Sequence, residues 1–184
     1  MLEFLTLSNS KGVGKPLKRY HDNPYIVQTL GQSQRSGLVT GANHTLLLTT
    51  NGQVYACGDN KYGQLGLGDT DDRTSCTLVP TPAPVLALVA GANHTLLLTT
   101  SGQVYACGRN EYGQLGLGDT KKRISFTLVP TPAPVLALVT GATHTLLLTT
   151  SGQVYACGSN DYGQLGLGDT DNRTSFTLVS VFGL

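Results

Sequence analysis

Tryptophan is absent from this chain, methionine occurs once, and only 12% of its 184 residues are Asp, Glu, Lys or Arg. So thin a charge complement, netting +1, excludes the broad basic field that binds nucleic acid or an anionic membrane. No apolar run approaches the about 20 residues of a membrane span. The start, "MLEFLTLSNSKGVGKP", has no basic segment ahead of an apolar core, so a secretory leader is not expected. Four cysteines are too few for a dense disulfide framework. The expectation is an intracellular protein with reduced thiols, cytoplasmic or nuclear, in which the sequons at Asn43, Asn93 and Asn172 are coincidental. What charge there is divides unevenly. Residues 1–40 hold five basic and two acidic side chains, the remainder seven basic and nine acidic.

What the chain has is glycine, 23 residues of it, which favours tight turns over long helices, and repetition. "GANHTLLLTTNGQVYACG" begins at Gly41 and returns at Gly91 and Gly141, a period of 50 residues. Residues 41–90 and 91–140 differ only at positions 51, 59, 61, 71, 72, 74, 76 and 90. Inside the unit, "HTLLLTT" and "QVYACG" read as strands, and Asn51-Gly52 between them predicts a type I′ hairpin turn. "GQLGLGDT" is too rich in glycine for a helix and reads as a looped connection. "TLVPTPAPVLALV" supplies two more strands around Pro80, Pro82 and Pro84, which exclude both helix and central strand. Four strands per unit and no helical segment predict an all-β chain of four-stranded β-propeller blades.

The order G-x-x-H-T-x-x-L-T, then G-x-V-Y-x-C-G-x-N-x-x-G-Q-L-G-x-G-D, resembles the regulator of chromosome condensation repeat family. In the third copy it is carried by Gly141, His144, Thr145, Leu148, Thr149, Gly152, Val154, Tyr155, Gly158, Asn160, Gly163, Gln164, Leu165, Gly166, Gly168 and Asp169. The Gly-Gly doublet of kelch propellers and the Trp-Asp pair of WD repeats are both missing. One departure is that the family often has Trp where this chain has Cys57, Cys107 and Cys157. The resemblance implies a partial propeller of about three and a half repeats: a degenerate half repeat over 1–40, units over 41–90 and 91–140, and a third over 141–184, incomplete at its end. It also implies a ring that is generally seven blades. The outermost blades of a shorter arc would keep bare apolar faces, so self-association is expected.

The recurring His44, His94 and His144 with Cys57, Cys107 and Cys157 invite a metal or a nucleophilic dyad. Zinc asks for four converging ligands, often paired closely in sequence. Here each His and Cys are thirteen residues apart on neighbouring strands, and one pair per blade spreads around an arc. They are expected to be framework, each His bonding backbone between blades and each Cys filling a small core space. "NSKGVGKPL" fails as a phosphate loop, having Asn9 and Pro16 where Gly and Ser or Thr belong. Asp69, Asp119 and Asp169 suit Asx-turns better than acid chemistry or calcium. No cofactor, metal or catalytic residue is expected.

The positions that change between copies are more informative. Asp59, Lys61, Asp71 and Asp72 become Arg109, Glu111, Lys121 and Lys122, while the third copy has Asp161 and Asp171. Charge reverses at both loops on a constant framework: either these are solvated loop residues drifting neutrally or, if the chain binds a partner, such tips are where it places specificity. These ten residues are the candidate partner-binding positions. The expected function is a non-catalytic protein-interaction scaffold, with neither nucleic acid nor membrane as partner. Two alternatives stand beside it: a guanine-nucleotide exchange factor or regulator of a Ran-type small GTPase, which the resemblance implies, and a fragment of a larger propeller with no independent role.

Overall fold

The structure, a computed structural model, describes residues 37–180. Among them, twelve strands and no helix form three four-stranded antiparallel sheets. The first blade is β1 (Gly37–Thr40), β2 (His44–Leu48), β3 (Val54–Gly58) and β4 (Arg73–Leu78). The second is β5 (Val85–Ala90), β6 (His94–Thr99), β7 (Val104–Gly108) and β8 (Arg123–Leu128). The third is β9 (Val135–Thr140), β10 (His144–Thr149), β11 (Val154–Gly158) and β12 (Arg173–Leu178). Strands lie in sequence order within each blade, and β1, β5 and β9 are neighbours in space. Successive blades therefore converge on their first strands, as in a propeller arc. The last strand of each 50-residue sequence unit opens the next blade, so sequence unit and blade are offset frames of one repeat. The expected half repeat, apart from β1, and the "NSKGVGKPL" stretch lie outside the described residues.

Stacking of the blades decides which side chains are buried. "HTLLL" is identical in β2, β6 and β10, yet its burial differs three ways. In β2, His44, Leu46 and Leu48 are buried and the residues between are not. In β10 the phase is opposite, with Thr145, Leu147 and Thr149 buried. All six residues of β6 are buried, because the second blade is covered on both faces. Period-2 alternation sends Leu46, Leu48, Val54 and Ala56 of the first blade against Leu88, Ala90 and Leu97 of the second. The second blade's Ala87, Val89, Leu96, Leu98, Val104 and Ala106 meet Leu138 and Leu147 of the third. The core is thus two slabs of apolar side chains between sheets.

The hairpin turn departs from the type I′ expectation. Gly52 N–H donates to Thr49 O at 2.9 Å, Thr49 N–H donates to Gln53 O at 2.9 Å, and Gly52 has φ of 82°. This is a three-residue loop closed by a left-handed glycine. Ser101 and Ser151 replace Asn51 without changing it, so only the glycine needs positive φ. The Thr49 hydroxyl takes the Gln53 N–H at 3.0 Å.

Candidate functional site at the blade junctions

Each junction is pinned by a three-residue clasp. His44 Nε2 lies 3.0 Å from Thr95 Oγ1 of the next blade. The Thr95 hydroxyl gives its single proton to Gln64 O at 2.7 Å, so it can only accept from the ring. His44 is therefore the Nε2–H tautomer, and its buried Nδ1 has no partner. His94, Thr145 and Gln114 repeat the arrangement at 3.2 and 2.7 Å. The thiols of Cys107 and Cys157 point at the same two carbonyls, 3.5 Å from Gln64 O and 3.7 Å from Gln114 O. This corrects the expectation that each His bonds backbone across the junction. Threonine and cysteine already occupy the facing carbonyl, leaving the Thr oxygen as the acceptor.

Burial keeps these groups neutral. It lowers the His44 pKa to about 4, against a smaller upward pull from Asp59, and that of His94 to about 3, with His44 and His144 lowering it further. Burial also pushes the Cys107 and Cys157 thiols well up. A Cβ on Gly91 would sit 2.0 Å from His94 Cε1, so glycine is required for the ring to fold over the backbone. No group of three or more His, Cys, Asp or Glu among the described residues is placed to share an ion. A groove of about 470 Å³ lined by residues including Asn51, Gln53, Leu78 and Pro84 has no titratable side chain.

The loops are organised by an Asn that the sequence reading used only as a mark of the repeat. Asn60 is fully buried; its Oδ1 accepts Leu65 N–H at 3.0 Å, and its Nδ2 donates to Asp69 O at 3.1 Å and Asp69 Oδ1 at 3.0 Å. Asn110 and Asn160 do the same in the other blades. Asp69 Oδ1 also accepts Asp71 N–H at 3.0 Å, an Asx-turn, and its Oδ2 pairs with Arg73 at 2.6 Å. The first two loops then lean on the outer strand of the next blade: Gly68 N–H donates to Ile124 O at 2.9 Å and Leu67 bridges Ser125, and Gly118 and Leu117 do the same with Thr174 and Ser175. A signal was available in the sequence: Asn and Gln stay fixed where their neighbours vary.

On this frame the ten candidates fall into three groups. Asp59 Oδ2 accepts Gln64 Nε2–H at 2.9 Å, and Asp72 Oδ1 accepts Asn60 N–H at 2.8 Å, so both brace their own loop. Arg109, half-buried, lies over Tyr62 of the preceding blade at 5.2 Å and Tyr112 at 5.7 Å, and pairs with Glu111. The Glu111 carboxylate is the first cause of the Arg109 pKa lying above its ordinary value. Lys61, Asp71, Lys121, Lys122, Asp161 and Asp171 stand exposed. Lys122 Nζ reaches Lys61 O of the first blade at 3.4 Å, which brings Lys61, Arg109 and the Lys121–Lys122 pair to one junction. Tyr162, equivalent to Tyr62 and Tyr112, is 93% exposed.

Sheets of four strands, locked face to face by repeated side chains, define a propeller-type repeat protein. The chain belongs to the family described as Regulator of chromosome condensation (RCC1) repeat, whose profile matches residues 51–98, 101–148 and 151–181. A second profile of the same description matches 37–64, 85–114 and 135–164, each span opening at or near the first strand of a blade. Among similar proteins, Protein RCC2 homolog of Xenopus laevis is 46% identical over 65 residues, 35% of this chain and 12% of that protein. The X-linked retinitis pigmentosa GTPase regulator of Canis lupus familiaris is 41% identical over 73 residues, 39% of this chain and 7% of that one. Human WBSCR16 superposes with a TM-score of 0.69 at 29% identity, covering 82% of this chain and 42% of its own. Yeast RCC1 (Prp20), solved bound to Kap60, gives 0.73 at 22% identity over 79% of this chain and 37% of its own, a likeness of fold. The chain spans a small part of the curated relatives it matches and about two fifths of these structures.

Proposed function

We propose that this chain is a non-catalytic protein-binding module whose recognition surface is the loop face at the junction of the first two blades. One observation carries the reading: the constant polar residues are spent on joining blades, whereas the variable charged ones gather at that junction. Lys61, Lys121 and Lys122 supply exposed positive charge there, around the Tyr62–Arg109–Tyr112 stack. A partner with an acidic face carrying a planar or carboxylate group suits this chemistry. Asp71, Asp161 and Asp171 give the neighbouring loops the opposite sign and so set orientation.

Changing Lys121 and Lys122 together to Glu tests it. Captured partner should fall while the melting temperature holds, since neither side chain is buried. An unchanged partner list would remove the proposal. Arg109 is left in place because its stacking contributes to the junction itself.

A second reading, regulation of a Ran-type small GTPase, is favoured by relatives named as GTPase regulators and by a fold neighbour, Prp20p, described with binding properties to Gsp1p and histones. Mixing the chain with such a GTPase loaded with fluorescent guanine nucleotide decides between the two. Faster nucleotide release supports regulation, and an unchanged rate leaves the binding module.

A further inference from the structure

The outer strand of the first blade differs from both others at one position. Where the second and third have Phe126 and Phe176, it has Cys76. Phe126 packs on the preceding blade, and a Cβ on Gly66 would meet its ring at 2.5 Å. Cys76 instead sits exposed on the open face of the first blade, with its Sγ 3.7 Å from the Sγ of Cys57. Tyr55↔Leu78 and Ala56↔Thr77 pair directly, and the ladder then shifts between Ala56 and Gly58, which pairs with Arg73. The two cysteines sit at that bulge, where their sulfurs are already in contact. The other two thiols have no such neighbour, since Cys107 and Cys157 are buried against carbonyls.

We propose that Cys57 and Cys76 are a modification site, a cross-strand dithiol that closes to an intramolecular disulfide on meeting a low-molecular-weight disulfide such as oxidised glutathione. Cys76, the exposed partner, attacks first as thiolate; its S–S bond forms, the small disulfide's bond breaks, and one small thiolate leaves. Cys57 then loses its proton and attacks Sγ of Cys76, expelling the second thiolate. Two protein thiols give up two electrons and two protons, and one small disulfide becomes two thiols. Burial, then the hydrogen bond it shares with Cys76, holds the Cys57 thiol above its ordinary pKa, which fits the resolving role. Closure ties β4 to β3 on the face where other blades carry the aromatic plug.

The test uses the full chain, unfolded only for readout. Native reduced protein should label with maleimide at Cys76, and Cys107 and Cys157 should label only after denaturation. After oxidised glutathione, labelling at Cys57 and Cys76 should vanish and the intact mass should fall by two hydrogens. Lys61 and Arg73 lie between the two cysteines, so trypsin cuts the backbone and leaves two peptides joined only through sulfur. A Cys76→Ser chain should form no such pair. A glutathione adduct persisting on Cys76 beside a reactive Cys57, chains crosslinked to one another, or thiols that stay labelled would each overturn the proposal.

Discussion

Acidification should unfold this protein earlier than its carboxylates alone would demand, because two imidazoles are locked neutral at the blade junctions. In an unfolded chain each takes a proton near 6.5, but in the fold His44 resists until about 4 and His94 until about 3. The folded value is the lower one. Between it and 6.5 the unfolded state binds the extra proton, so stability is complete above pH 6.5 and falls as pH drops. At about 1.4 kcal/mol per unit, the roughly 1.5 units from 6.5 to 5 remove about 2 kcal/mol per histidine, or about 4 kcal/mol for both. Asp59, beside His44, tempers its share. Asp69, Asp119 and Asp169 are held below their ordinary 3.8, by Arg73, by Arg123 and, for Asp169, first by the Asp171 N–H. Their stabilisation is complete above pH 5, so they add nothing to the loss in this window. Urea titrations at pH 7, 6 and 5, followed by circular dichroism because tryptophan is absent, measure the loss. A stability level between pH 7 and 5, or a folded-state His44 or His94 resonance titrating near 6.5, would refute the reasoning.

Two other outcomes follow from the junctions. Thr95→Val strands the His44 Nε2–H and removes one donor from Gln64 O; at about 1–3 kcal/mol for each buried group left short, urea unfolding should show a loss of about 2–4 kcal/mol. Thr95→Ser, which keeps the hydroxyl, should lose much less, and equal losses in the two variants would contradict the clasp. Among the described residues, the outer faces of the first and third blades present Leu38 and Leu136 at 75% and 49% exposure. The 184-residue chain should therefore self-associate in light scattering, and a cooperatively melting monomer at high concentration would count against it.

Strand content and the blade pattern were legible because Thr, Val and Tyr runs between glycines and prolines have no other comfortable state. The phase of burial was not. Leu46, Leu96 and Leu146 have nearly the same sequence neighbours, and only the presence or absence of an adjoining sheet distinguishes their faces. β4 begins at Arg73, inside what read as loop, because Arg73 pairs across a bulge with Gly58, a contact that local propensity cannot show. The histidines do join blades as framework residues, but through the threonine hydroxyl rather than the backbone that the sequence suggested. Of the ten charged tips, those that brace their own loops, Asp59 and Asp72, looked the same in sequence as the free Asp71. The fixed Asn and Gln were read as marks of the repeat and not as loop organisers, since buried amides act through hydrogen bonds invisible to hydropathy.

The spacing of the junction bonds has a genetic consequence. From His to Thr is 51 residues at both junctions, from Thr back to the Gln carbonyl 31, and from Cys back to that carbonyl 43. Removing or duplicating any whole period of 50 residues preserves all three offsets. Excising residues 91–140 would bring His44 to the Thr145 position with the same separation it now has from Thr95. Unequal crossing-over between such near-identical segments thus yields a chain one blade shorter or longer whose new junction is already matched. The number of blades becomes a quantity that heredity can change in single steps, while the loop charges drift separately.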